Sequence, residues 1–221
     1  GMRGTHRRAN GMDEMGQAVS FRDKDGRLTR ATSGTPIELE LGCGIKRLHP
    51  TAVGVDVLDH TCVDVVGDVM DVLATIPDGA VSAAYSNHFL EHVDDVIALI
   101  KELARVVMSG GVVETIVPHF SNPHFYSDPT HRAAFGLYSF SYLAKDPLFR
   151  RNVPNYFGTP DFTLTDCHLY FRTERPFYLR HAVGKVVERV VNRRPFSAEK
   201  YERWWCYVWP AYEVKYVITR N

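Results

Sequence analysis

"IELELGCGIKRLHPTAVGVDV", residues Ile37–Val57, decides the fold. It holds two short apolar runs, a glycine-containing turn directly after the first, and a carboxylate, Asp56, near the end of the second. Ile37–Leu41 and Ala52–Val57 read as strands, and their near-continuous apolar character suits parallel strands covered on both faces. Gly42 and Gly44 carry no Cβ, so the backbone there can turn tightly and come close to a ligand. In open α/β sheets ligands bind beyond the carboxyl ends of the strands. A carboxylate at the neighbouring strand end can accept hydrogen bonds from both hydroxyls of a ribose. Together these features read as a grip on a nucleoside-bearing cofactor; taken singly, each is equally an ordinary turn or strand cap.

The same pattern continues outward. Val63–Val66, Val81–Tyr85 and Val112–Val117 read as further strands. Val96, Ile100, Leu103 and Val107 form one stripe of a helix that Ser109-Gly110-Gly111 closes. Alternating strand and helix argue for an open α/β sheet. The connections after Gly42 and Asp56 are too short for full crossover helices, so the early helices are expected to be one or two turns, or loop. Asp68, in "VVGDVMD", follows the third strand, where a carboxylate can meet the exocyclic amine of adenine. "AAYSNHFLEHVDD" follows the fourth strand, and its Glu91 and His92 are expected to cap and pack the long helix. Farther on, Phe162–Phe171 reads as a strand, Phe177–Asn192 as a basic amphipathic helix presenting a solvated face, and Tyr212–Thr219 as a closing strand.

Composition bounds the rest. The chain has 221 residues, 45% of them apolar and 24% charged, with 26 basic against 26 acidic residues. That is ordinary globular composition, and a formal charge of zero gives no broad electrostatic grip on nucleic acid. The four cysteines (Cys43, Cys62, Cys167, Cys206) show no CxxC pair and read as free thiols in a reducing, cytoplasmic setting. No apolar run reaches membrane-spanning length. Residues 1–33 are polar and aperiodic, so they are expected to form a flexible lead-in, with Gly1 a remnant of tag removal. Residues 34–221 are expected to form a single domain, with 119–160 as a substrate-side loop or lid.

On "ELGCG" (Glu40–Gly44), "GVDV" (Gly54–Val57), "GDV" (Gly67–Val69), "SNHFLEH" (Ser86–His92) and "ELARVVMSGG" (Glu102–Gly111), the chain resembles the class I S-adenosylmethionine-dependent methyltransferases. The resemblance runs from about Ile37 to Pro118, in the family's order. It implies a three-layer Rossmann-like fold with a mainly parallel seven-stranded sheet and one antiparallel strand. It also implies a donor site in which Leu41, Gly42, Cys43 and Gly44 face the methionine portion, Asp56 and Val57 the ribose, and Asp68 and Val69 the adenine. Glu40 then orients the turn, and Ser86 and Asn87 line the sulfonium side. The third small residue of a dinucleotide fingerprint is absent, since Ile45, Lys46 and Arg47 follow Gly44; this argues against a nicotinamide enzyme.

Methyl transfer from a sulfonium is an in-line displacement, so the protein must align the nucleophile and exclude water. An acceptor hydroxyl or amine is helped by a base of near-neutral pKa. The segment "HFSNPHFYSDPTHRAAFGLYSFSYL" offers His119, His124, Asp128 and His131, with His124 and His131 first, and His88 beside the fourth strand as a further candidate. These side chains are also acceptable metal ligands, but their spacing matches no metal pattern, and no metal is expected. Aromatic residues including Tyr138, Phe140, Trp204 and Trp205 are either core or the roof of a pocket. The expected activity is methyl transfer to an oxygen or nitrogen of a small-molecule or sugar-type acceptor. The alternatives are a non-catalytic S-adenosylmethionine-binding protein and, less favoured, a nicotinamide-dependent oxidoreductase.

Overall fold

The apolar runs form strands where the pattern places them. In the computed structural model the described residues are 9–12, 18–31, 35–154, 161–173 and 176–221. The chain divides into two compact units where one domain was expected: Gly1–Asn87 with Ile97–Val113 and Arg220, and His88–Val96 with Glu114–Thr219 and Asn221.

In the first unit β3 (Ile37–Leu41) pairs in parallel with β4 (Val53–Asp56) and β6 (Val81–Asn87), and β4 pairs in parallel with β5 (Val65–Val66). Successive residues Leu39, Glu40 and Leu41 are all buried although they point to alternate faces, so β3 is covered on both sides. The stretch between β3 and β4 contains no helix, in line with its length. α2 (Val69–Ala74) is a short helix whose first turn is capped by Asp68, the carboxylate accepting from the Met70 N–H at 2.8 Å. α3 (Val96–Val106) buries Leu99, Ile100, Leu103, Ala104 and Val106.

Two expectations are corrected here. The glycines of Ser109-Gly110-Gly111 do not close α3 but lie inside β7 (Val107–Pro118), which starts where the helix ends. A Cβ at Gly111 would stand 2.8 Å from the Met108 carbonyl and 3.0 Å from that of Ser82, so close backbone approach, not helix termination, accounts for that glycine. The lead-in also supplies structure: β1 (Ala9–Met12) pairs antiparallel with β2 (Ala18–Asp23), and β2 pairs antiparallel with β5. The buried Asp23 carboxylate accepts from the backbone N–H groups of Arg27 and Thr29, holding the short α1 (Arg27–Ala31). An edge hairpin joins by backbone bonds and needs no apolar stripe, which is why the polar composition hid it. Among the described residues the sheet has nine strands, in the order β1-β2-β5-β4-β3-β6 through β7 to β9 and β8, rather than seven. Residues 1–8, 13–17 and 32–33 of the expected lead-in lie outside the described residues, as does residue 34.

The second unit contains β8 (Phe162–Tyr170), α4 (Tyr178–Val191), α5 (Pro195–Trp204) and, except for its Arg220, β9 (Glu213–Arg220). The late strand is antiparallel as expected. The His119 N–H donates to the Tyr212 carbonyl at 3.2 Å, and Lys215 pairs with Glu114 at 3.8 Å, so residue numbers rise along one strand as they fall along the other. β8 runs antiparallel to β9 by the same test, Tyr212 N–H to Tyr170 O at one end and Asn221 N–H to Asp161 O at the other. Leu137, Phe140, Phe162, Leu164, Phe171 and Tyr216 are fully buried. Within the expected lid, 119–160, Phe125, Phe135, Leu137, Phe140 and Phe149 are core residues, whereas 126–130 are exposed, and residues 155–160 lie outside the described ones. Among the described residues no helix is long and apolar enough to cross a membrane.

Candidate active site

The donor-site residues expected from the sequence all fall in the first unit, at the carboxyl ends of its parallel strands. Gly42 and Gly44 take positive φ, 63° and 58°, which L side chains rarely adopt. A Cβ on Gly44 would meet nothing within 4 Å among the described residues, so as far as these go space lies open above the turn. The Gly42 and Cys43 N–H groups both donate to the Val55 carbonyl, extending the β3–β4 pairing into the turn. Asp56 reaches back across it: one oxygen accepts from Gly44 N–H at 2.7 Å, the other from Leu58 N–H at 2.8 Å. A carboxylate has about four acceptor positions, so acceptor capacity remains for a diol. Ser86 is the register partner of Leu41, one residue before the turn, and Asn87 ends the same strand. Val57 and Leu58 are exposed beside Asp56, and Met70 is exposed beside Asp68, whereas Val69 is buried. Exposed apolar side chains next to a carboxylate are what a flat adenine ring on a hydroxyl-bearing sugar requires.

Two side chains build the loop that replaces a helix. Buried Glu40 accepts from the N–H groups of Leu48 and His49, at 2.9 and 2.7 Å, and so takes the place of helical hydrogen bonds. Arg47 donates to the carbonyls of Ala52 and Cys62 and pairs with Asp64 at 2.8 Å. Asp64 also accepts from Gly54 N–H at 2.9 Å. Gly54 is required for this packing, because a Cβ there would stand 2.9 Å from the Cys43 sulfur and 3.0 Å from Arg47 Nε. The Cys43 thiol is pushed up to about 12, by burial first and then by the Asp56 charge, so it stays neutral.

In the second unit the four proposed catalytic side chains do not form one cluster. His119 is fully buried, with Nδ1 on the Ser121 hydroxyl at 2.7 Å and Nε2 on Glu202 at 3.1 Å. It is a packing residue there, which corrects its assignment as a catalytic group. His124 is exposed, and the hydrogen bond there is a backbone one, its N–H capped by Asn122. The Asp128 carboxylate accepts from both the N–H and the hydroxyl of Thr130, which hold its pKa below the ordinary value. His131 donates Nδ1–H to the Phe125 carbonyl at 2.8 Å, leaving Nε2 with a lone pair 3.8 Å from Asp128.

What His131 does meet is Glu91 and His92, which sequence reasoning placed on the long helix. They lie instead in a separate 3-10 turn, Leu90–His92, ahead of α3. The Glu91 carbonyl accepts from Arg132 N–H at 2.6 Å, fastening this turn to the His131 segment. Next to it His88 has φ 52°, unusual for a residue with a Cβ. Its Nε2 lies 2.9 Å from Glu213 and its Nδ1 3.2 Å from Glu91, and these carboxylates raise its pKa to about 9. Arg172 pairs with Glu213 from the other side, at 3.2 Å. No periodicity announces this arrangement; a histidine between two buried acids was visible only as the lone motif "SNHFLEH".

Residues 39–114 match the family model of the methyltransferase domain. A search of curated proteins returns no match. Among solved structures, the chain is similar to an S-adenosylmethionine-dependent methyltransferase from Archaeoglobus fulgidus, at 18% identity over 88% of this chain and 90% of that one, with a TM-score of 0.54. It is also similar to phosphoethanolamine N-methyltransferase 2 of Haemonchus contortus bound to S-adenosyl-L-methionine: 12% identity, 88% of this chain and about half (51%) of that one, TM-score 0.51. A geranyl diphosphate C-methyltransferase from Streptomyces coelicolor aligns at 15% identity over 88% and 74%, TM-score 0.50. At such identities the structures speak for the fold alone. A methyltransferase domain is thus recognised over residues 39–114, and the fold is the Rossmann-like one of S-adenosylmethionine-dependent methyltransferases.

Proposed function

We propose that this protein moves the methyl group of S-adenosylmethionine to an oxygen or nitrogen atom of a small-molecule or sugar-type acceptor. The observation that carries the donor half is the Gly42–Gly44 turn at positive φ, tied by Gly44 N–H to Asp56. In this reading Asp56 takes the ribose hydroxyls with Val57 beside it, Asp68 the adenine, and Ser86 and Asn87 the sulfonium side, while Glu40 keeps the loop in shape. The cofactor supplies a methyl group on a good leaving group, so the protein has to orient, exclude water and hold a proton. Of the four acceptor-side candidates, His131 is supported best, because its hydrogen bond to the Phe125 carbonyl leaves Nε2 able to accept. Asp128 lies 3.8 Å from that nitrogen, its own pKa lowered by the Thr130 hydroxyl and N–H.

The test is calorimetric titration with S-adenosylmethionine and S-adenosylhomocysteine, followed by transfer of labelled methyl to a panel of hydroxyl and amine acceptors. Micromolar binding and a raised melting temperature are expected, with no response to reduced nicotinamide cofactor. A folded protein that neither product nor donor stabilises would refute the donor site. Transfer only to carbon acceptors would refute the acceptor class.

A further inference from the structure

Glu91, His92 and His131 each offer one ligand atom, and these atoms lie within 4.8 Å of one another. The hydrogen bonds around them determine which nitrogens are free. A carbonyl oxygen only accepts, so His131 must carry its proton on Nδ1 toward Phe125, and its Nε2 keeps the lone pair. The Thr130 hydroxyl, 2.6 Å from an Asp128 oxygen that can only accept, gives its proton there. Its oxygen is then the acceptor for the His92 Nδ1–H at 2.9 Å, and His92 Nε2 also keeps its lone pair. Each ring thus has its Nδ1 engaged by a partner, a carbonyl for His131 and a hydroxyl relayed to a carboxylate for His92, which turns Nε2 toward a ligand. This is how proteins orient histidine toward metal ions.

The third ligand supplies an independent sign. Glu91 is fully buried, its Oε1 faces His88, and its Oε2 has no hydrogen-bond partner among the described residues. A buried carboxylate oxygen left without a donor is costly, and a cation satisfies it. We propose that Glu91, His92 and His131 bind a divalent transition metal ion of the zinc type. Zinc bonds of about 2.0–2.2 Å place tetrahedral ligand atoms about 3.3–3.6 Å apart, so no pair of the three has to close by more than about 1.5 Å on binding. Exposed His92 and Asp128 leave the outer side of the ion open to solvent, where a fourth position can take an acceptor oxygen. With the ion in place His131 acts through the metal rather than as a free base.

The inference does not depend on methyl transfer, because metal binding is read with no donor present. The protein, stripped with chelator, is titrated with Co(II) alone by visible absorption and with Zn(II) alone by calorimetry. One ion per chain is expected, with the d–d bands of a low-coordinate nitrogen–oxygen site. His92→Ala, His131→Ala and Glu91→Gln should each weaken binding at least about tenfold, and Thr130→Val, which removes the partner of His92 Nδ1, should weaken it about 10-fold or more. His124→Ala should leave it unchanged. Because Glu91 is buried and its variant can unfold, exposed His92 and Thr130 provide the decisive substitutions. No saturable binding, or binding that His92→Ala and His131→Ala leave at wild-type strength, overturns the site.

Discussion

Replacing Asp56 by alanine removes a carboxylate that serves two backbone donors, Gly44 N–H at 2.7 Å and Leu58 N–H at 2.8 Å, and in the proposed complex also the ribose diol. Hydrogen bonds to a charged group are worth about 1.5–3 kcal/mol each, so losing the two ribose contacts costs about 3–6 kcal/mol of binding. At about 1.4 kcal/mol per decade, S-adenosylhomocysteine affinity should fall roughly 10²- to 10⁴-fold. The unliganded protein should suffer less, about 1–2 kcal/mol, because Asp56 is only half-buried and water can reach the two abandoned N–H groups. Asp56→Asn separates the contributions. An amide has one acceptor oxygen, so its NH₂ must face one of the two N–H donors, and an intermediate loss is expected. Calorimetry gives the affinities and thermal melting the stabilities. A folded Asp56→Ala protein binding within about threefold of wild type would show that the ribose is held elsewhere.

Two further outcomes follow from the same loop. Gly54→Ala pushes a methyl group to 2.9 Å from Cys43 sulfur and 3.0 Å from Arg47 Nε, so overpacking should cost about 1–3 kcal/mol, read as a lower melting temperature; an unchanged value would mean that the loop yields freely. Cys43, with its thiol pushed up to about 12 by burial and the Asp56 charge, should alkylate with a rate still climbing with pH well above 9. In Asp56→Ala the Coulombic part of that shift disappears and the climb should level off at lower pH; mass spectrometry of the modified peptide reads both.

The first unit was legible because its chemistry is local. Ile37–Leu41 declares a buried strand by composition, and Gly42, Gly44 and Asp56 stand within twenty residues of one another along a single strand–turn–strand passage. The parts that escaped depend on partners distant in the chain. β2 is a strand because β5 offers it an edge, and nothing in "AVSFRD" announces that neighbour. Arg47 interrupts the glycine pattern, yet its reason, Asp64, belongs to the next connection. His119 seemed chemically available until Glu202, from α5, accounted for its far nitrogen. Glu91 and His131 meet only because a carbonyl in one turn accepts from Arg132, and no spacing rule spans that gap. The histidines were visible in the sequence; which of them face each other was not.

The helix-free connection after Gly44 has an electrostatic consequence. A helix starting at the turn would aim the positive end of its aligned peptide dipoles, equivalent to about half an elementary charge, at whatever sits above the glycines. A diphosphate benefits from that field, whereas a positively charged sulfur is repelled by it. Here the passage is fixed by the Glu40 carboxylate and by Arg47, whose charge is matched by Asp64. The turn thus presents close-fitting backbone without a cationic pole, a setting that favours an onium ion over a dinucleotide.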